Sequence, residues 1–432
     1  MVRGFVLLFL SVAFAAEPSG RRGALDPAFE KIPFDQWLGE HGHARFHWTA
    51  SVPRAALSFH QRLVTQVQIT LDGRDLEARR GDGSLVFLIQ ITDRNGTRYQ
   101  DHGSIDLDKL DENIRAVTLE YSQRAFFLPG VYRLAVAILD TATGEHSTSQ
   151  AQFRVAPPQH DLLPDAWRDL QPVEFIGKTE SPDSWYLPDI HGRLQWAASV
   201  HSPARVNVIL NVALSVPAPG SRRTDGGGLA ALLPTLKAIS QTGSSSLSEH
   251  VELLDLARQH AAFQQDEVYD IDWPRLKASL AEANTASIDV HSLSDRHHGA
   301  QFFVSQVRSL IRASEKPCFL VVLTTPVAFE SGEDLAPVSL EALPACRVVY
   351  IRYRAPVELV RPFGREMGGR GRGTRMGGPM AGNRPLPDFD QLEATLKPLS
   401  PKVFDVGTPE EMARALAEIE KGLLTSGEQS SR

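Results

Sequence analysis

Cysteine is nearly absent: only Cys318 and Cys346 occur in 432 residues, too few for the disulfide framework of a small secreted scaffold. No later uninterrupted apolar stretch reaches the roughly 20 residues that a membrane-spanning helix needs. An excess of positive charge is missing as well. With 45 basic and 52 acidic residues the net charge is -7, which argues against bulk nucleic-acid binding. Several chemical signatures are also absent: there is no HExxH zinc motif, no G-x-S-x-G nucleophile elbow, and no G-x-G-x-x-G after the first α/β-type strand. What remains is the composition of ordinary globular domains, 42% hydrophobic and 22% charged. At roughly 100–200 residues per domain, the length predicts two or three of them.

The N-terminus carries an export signature. Arg3 precedes the short apolar run Phe5 to Val12, and Ala13-Phe14-Ala15 places small residues where a signal peptidase reads. Residues 1–16 therefore read as a cleaved signal peptide. No cysteine lies near the cleavage point to take a lipid. The expectation is a soluble exported product, whether secreted, periplasmic or extracellular.

Residues 17–45 lack steady periodicity and read as a polar lead-in. From 46 to 156 short strands alternate with turn signals. Leu63 to Leu71 alternates apolar and polar, as a half-buried strand does, and Asp72-Gly73 supplies a turn. Ser84 to Thr92 is a second strand, followed by Asn95-Gly96, a pair that favours tight hairpins. Ile114 to Tyr121 is a third. After Pro129-Gly130, Tyr132, Leu134, Val136 and Ile138 share one face, and Ser149 to Val155 closes the set. The pattern predicts an antiparallel β-sandwich. The Pro-Gly-x-Tyr run entering an alternating strand resembles the penultimate strand of immunoglobulin-like modules, although the Cys…Trp…Cys spacing of antibody domains is missing.

A linker is expected over 157–172. From 173 to 424 strands and helices alternate, the mark of a doubly wound α/β domain. Val206 to Val216 reads as a central strand buried on both faces. His250 to Leu256, Cys318 to Thr325 and Arg347 to Tyr353 are further strands. Helices are predicted over Leu229 to Ser240, over Trp273 to Ala283 with Asp272 as N-cap, over Gly299 to Ile311, and over Thr408 to Leu423. The last begins with the capping box Thr408-x-x-Glu411. Residues 361–387 are dense in Gly, Arg, Pro and Met and predict a mobile loop. Residues 425–432 read as a disordered tail. The fold class is thus multidomain: an N-terminal antiparallel β-sandwich, then a doubly wound, Rossmann-like α/β domain.

In its order of elements the second part resembles a von Willebrand factor A domain. Three places carry the resemblance: the strand ending Asn211-Val212-Ala213-Leu214-Ser215, the strand Leu320 to Thr325 before Pro326, and Lys402 to Val406 leading into the last helix. The resemblance implies a divalent cation at the C-terminal edge of the sheet. At the ligand positions, however, Asn211 stands for Asp, Ala213 for Ser and Thr325 for Asp; Ser215 is retained, and Ser287 lies where a further hydroxyl ligand would be sought. Mg²⁺ usually takes one or two carboxylates. Without them the implication is a degenerate site with no cofactor, or at most weakened affinity for Mg²⁺. In an A-type sheet the strands starting at Cys318 and Cys346 would be neighbours, about 4.8 Å apart. They are then within reach of a disulfide; two separately buried thiols are the alternative.

Other candidate groups also have plainer readings. His291, His297 and His298, with Asp289 and Asp295, could ligate a metal but occupy a polar loop without a motif. Asp225 to Gly228 precedes a helix and reads as a flexible connection. In the Arg/Gly segment Arg361, Arg365, Arg370, Arg372 and Arg375 could engage a partner protein or an acidic polymer, or could simply be solvated. The overall expectation is a non-enzymatic exported binding or scaffold protein. Its rivals are an A-type adhesion domain that keeps its cation through a substitute such as Asp289, and an extracytoplasmic hydrolase using the His291/His298 loop.

Overall fold

The computed structural model describes residues 26–40, 47–177, 190–196, 204–211, 227–241, 247–285 apart from 257, 267 and 269, 298–314, 318–327, 346–354 and 390–430. The signal segment 1–16 and the Arg/Gly segment 361–387 lie outside them. The chain divides into two compact units. One comprises Met1–Ser51, Gln68–Tyr121 and Gly130–Arg154, and the other Val52–Val67, Ser122–Pro129 and Val155–Arg432. Antiparallel sheets precede a mixed α/β sheet, so the chain is multidomain with α and β elements. Among the described residues no helix is long and apolar enough to cross a membrane.

The antiparallel part holds nine strands. They are β1 (Trp48–Ser51), β2 (Ala56–Leu57), β3 (Leu63–Asp72), β4 (Ser84–Thr92) and β5 (Arg98–Asp106). After these come β6 (Thr118–Phe127), β7 (Gly130–Asp140), β8 (His146–Val155) and β9 (Val173–Phe175). One sheet has the order β5-β4-β7-β8; the other runs β1-β3-β6-β9, with β2 also pairing with β3. Alternation in β3 is strict, with Leu63, Thr65, Val67, Ile69 and Leu71 buried. The Asn95-Gly96 hairpin forms between Thr92 and Arg98. There Asp93 accepts the amides of Asn95 and Thr97 at 2.8 and 2.9 Å, and Gly96 takes φ +82°, a conformation open to glycine.

Three local features depart from the sequence reading. The lead-in is folded: a 3-10 turn at Pro27–Lys31 and helix α1 (Phe34–Gly39) bury Phe29 and Phe34 on Leu88, Ala135 and Ala137. The two turns are five and six residues long, each too short to show a helical period. The Asp72-Gly73 turn opens helix α2 (Gly73–Glu77), capped by Asp72. A Cβ on Gly73 would collide with the Ile114 and Val117 carbonyls, so packing as well as the turn selects glycine. Finally, Ile114–Ala116 is a 3-10 turn and the strand begins only at Thr118.

The second unit is built on a six-stranded mixed sheet: β10 (Ala204–Asn211), β11 (Leu247–Asp255), β12 (His260–Asp266), β13 (Cys318–Thr324), β14 (Cys346–Tyr353) and β15 (Lys402–Val406). Its order is β12-β11-β10-β13-β14-β15, with β12 antiparallel to β11 and the other pairs parallel. Within the sheet the strands follow the order 3-2-1-4-5-6 of doubly wound folds. Helices α3 (Gly227–Ser240), α4 (Trp273–Thr285) and α7 (Pro409–Ser430) supply one core with Val206, Val208, Leu210, Val321 and Leu323. Helices α5 (Gly299–Arg312) and α6 (Gln391–Leu396) cover the other face, over Ile209, Val322, Val348 and Tyr350.

Caps form as read. Asp272 accepts the Arg275 amide at 3.1 Å, while Thr408 and Glu411 exchange reciprocal bonds at 3.3 and 3.1 Å. Segment 157–172 is more than a linker, because Leu163, Ala166 and Leu170 bury in this core. Helix α7 continues to Ser430, through most of the segment read as a disordered tail.

Candidate functional site at the C-terminal edge of the mixed sheet

The strand order reverses between β10 and β13, and open α/β sheets bind ligands beyond the C-terminal ends of their strands at such a point. Asn211 ends β10 and Thr324 ends β13. Thr324 is in register with Arg352 on β14, and Arg352 with Asp405 on β15. These four residues form a polar row across adjacent parallel strands. Two residues earlier on each strand, Ile209, Val322, Tyr350 and Val403 belong to or pack on the core beneath α5 and α6. Period-2 alternation thus points the polar row to the same face.

Asn211 is buried and donates its Nδ2 to Thr324 Oγ1 at 3.0 Å. The Thr324 hydroxyl donates to the Thr325 carbonyl at 2.7 Å. A Cβ on Gly228 would stand 3.0 Å from Thr325 Cγ2, so the start of α3 lies against Thr325. The structure therefore brings Asn211 and Thr325 together through Thr324. Ala213, Ser215 and Ser287 lie outside the described residues, as do Asp289, His291, His297 and the arginines Arg361, Arg365, Arg370, Arg372 and Arg375. His298 is the N-cap residue of α5 but makes no side-chain capping bond.

Arg352 dominates the charge at this edge. Its Nε and Nη2 donate to the two oxygens of Asp405 at 2.6 and 2.9 Å. Its Nη1 donates to Asp390 at 2.8 Å and to Glu393 at 3.0 Å, and the Tyr350 hydroxyl donates to Asp390 at 2.7 Å. The Arg352 and Asp390 side chains are 4% and 1% exposed. Burial opposes the guanidinium charge, yet bonds to Asp405 and Asp390 carry its pKa above the ordinary value. Hydrogen bonding to Arg352 holds Asp405 below the usual carboxylate range. Burial, reinforced by Asp390, pushes the Tyr350 phenol up. Asp390 and Asp405 are thus committed to a permanent cation, leaving the Asn211 amide and the Thr324 hydroxyl as the uncharged groups of the row. The sequence reading missed Arg352 and Asp405, although a charge within each of Cys346–Tyr353 and Lys402–Val406 was a visible signal.

Elsewhere in this unit, the buried Arg62 pairs with the partly buried Glu174 at 2.5 Å. Glu174 also accepts the His191 and Gly192 amides, which accounts for the pair as a fastening of that segment. In the other unit Asp26, Asp101 and His102 are the one group among the described residues whose ligand-type atoms converge, within 4.8 Å. There Asp26 caps the first turn through Ala28 and pairs with His102, so capping and ion pairing explain it.

Cys318 and Cys346 are joined in a disulfide. They are partners in register at the N-terminal starts of β13 and β14, with Cα atoms 4.7 Å apart. The bridge lies at the opposite strand ends from the polar row and suits an oxidising compartment.

No family profile and no curated protein matches the chain. Among solved structures, the ApaA protein of Bordetella pertussis is 19% identical over 27% of this chain and 97% of that one, with TM-score 0.18. A β-glucosidase of Listeria innocua, solved with gluconolactone, is 13% identical over 27% of this chain and 17% of its own, with TM-score 0.15. Likenesses of this extent assign no activity.

Proposed function

We propose that the protein is an exported, non-enzymatic binding or scaffold protein. In this reading the mixed-sheet domain is a von Willebrand factor A-like domain that has lost its metal, and the strands before it form an immunoglobulin-like sandwich. One observation carries the proposal: at the reversal point the row offers the Asn211 amide and the Thr324 hydroxyl, while the nearby Asp390 and Asp405 are engaged by Arg352. Mg²⁺ usually takes one or two carboxylate oxygens, and those of Asp390 and Asp405 are occupied by the Arg352 guanidinium. The described residues of the row do not fit Mg²⁺; Ala213, Ser215, Ser287 and Asp289 lie outside them.

Asn211 and Thr324 are buried and bonded to each other, so contact with a partner falls to the chain that leaves and re-enters this edge. The residues flanking the Arg/Gly segment, Arg354 and Asp390, both sit here, each paired with a member of the row. An acidic protein or acidic polymer is therefore the proposed partner, met by Arg361, Arg365, Arg370, Arg372 and Arg375.

Calorimetric titration with Mg²⁺ and Mn²⁺ tests the metal-free reading; tight binding that disappears in Asp289→Ala would overturn it. Pull-down from the exported fraction, with and without residues 361–387, tests the partner reading. Loss of recovery on deletion is expected, and equal recovery would remove the segment from the proposal. Sequencing the mature N-terminus checks export, since a start at Met1 contradicts it.

A further inference from the structure

A second buried polar group lies on the same face of the mixed sheet, at the β11–β12 edge. His250 and Asp266 are cross-strand partners, and so are Glu252 and Gln264. His250 Nδ1 is 2.7 Å from Asp266 Oδ1, and Nε2 is 3.1 Å from Glu252 Oε1. The second contact is out of line for a hydrogen bond, so its attraction is one of charge. Glu252 is 4% exposed in its side chain; Oε1 accepts Gln264 Nε2 at 2.8 Å, and Oε2 is buried without a hydrogen-bond partner. Asn207, in register with His250 on β10, is fully buried, and its Oδ1 also has no partner.

Acceptors therefore outnumber donors around this imidazole. Among the described residues, Arg205 of β10 is a further charged group here, and it meets Asp266 at 3.2 Å. From α5 come the apolar Val307, Leu310 and Ile311, and Ser314 beyond it receives Asn207 Nδ2 at 3.4 Å. A neutral imidazole carries one N–H and one lone pair, so either tautomer turns a lone pair toward a carboxylate. The imidazolium donates from Nδ1 to Asp266, and its charge compensates the buried Glu252 beside Nε2.

We propose that His250 is a proton-operated clamp between β11 and the edge strand β12: protonated, it ties Glu252 to Asp266 across the pair, and on losing its proton it lets β12 open. Burial alone would lower its pKa; Glu252 and Asp266 outweigh burial, and the net displacement is upward. With the folded value raised, the clamp is fully set below the free imidazole's range, about 6.5. It is released as pH rises through the folded value.

Amide exchange of Phe263 and Gln265 in the full chain between pH 6 and 9, corrected for base catalysis, reads the opening directly. Alongside it, the His250 ring is titrated by NMR. Opening should increase by up to about tenfold for each pH unit separating the folded from the free titration. His250→Gln should make the corrected exchange independent of pH. Asp266→Asn, at a side chain 69% exposed and so tolerant of change, should move the midpoint to lower pH and decides the matter if His250→Gln does not fold. A flat corrected profile, a midpoint unmoved in Asp266→Asn, or a ring that titrates below about 6.5 would overturn the clamp.

Discussion

Arg352 and His250 lie on one face of the same sheet, each buried among carboxylates, and their surroundings differ in a single respect that decides their behaviour. Around Arg352 a fixed cation with five donors meets Asp390, Glu393 and Asp405, and Tyr350 adds a sixth donor. Around His250 a titratable ring meets Glu252 and Asp266 with an acceptor of Glu252 left over. The first arrangement holds across the whole working range of pH. The second holds only while a proton is present. Burying a charge is tolerable when its partner cannot leave, and conditional when it can.

Removing the permanent partner should give the largest effect. Arg352→Met leaves Asp390 uncompensated and should destabilise the domain by about 3–5 kcal/mol, read as a lower denaturant midpoint. Adding Asp390→Asn should recover part of that loss; no recovery would mean that packing, rather than charge, sets the value. The disulfide is a third tie, conditional on redox potential rather than on protons. It spans 28 residues, so its reduction should cost about 3–4 kcal/mol in the chain-entropy account, measured by unfolding with and without a thiol.

The smallest effect should be the shape of the pH profile. Asp405 titrates below its usual range in the folded protein, so its contribution is present above the unfolded value and is lost as pH falls through the folded one. His250 contributes in the opposite direction, with loss as pH rises. Stability should therefore decline on both sides. Asp405→Asn should lessen only the acid limb, to which Asp140 and Glu174 also contribute, and His250→Gln only the alkaline limb. A variant that flattened both would show that the two groups are one network.

Legibility followed the range of the interactions. Period-2 strands such as Leu63–Asp72 and capped helices such as the one begun by Thr408 and Glu411 were readable, because alternation and capping are written within a few residues. The Asn211 to Thr325 edge was approached from a resemblance, and the structure brings those two residues together through Thr324. The rest depends on separations that no local pattern encodes. Arg352 meets Asp390 across 38 residues and Asp405 across 53. Phe29 and Phe34 find Leu88 and Ala135 from a stretch that looked featureless. His250 and Glu252 passed as members of an ordinary strand, since their burial is set by a helix that arrives about 50 residues later.

The bridge between Cys318 and Cys346 also changes what a single cut in the chain can do. The interval between the two cysteines contains no lysine or arginine but has Glu330, Glu333 and Glu341. Trypsin therefore finds no site there, whereas a glutamate-specific protease finds three. Cleavage at any of them yields two polypeptides that still travel as one molecule, with β13 and β14 fastened at their starts. Without reductant such a product migrates near the mass of the intact protein, and only a thiol reveals that it was cut.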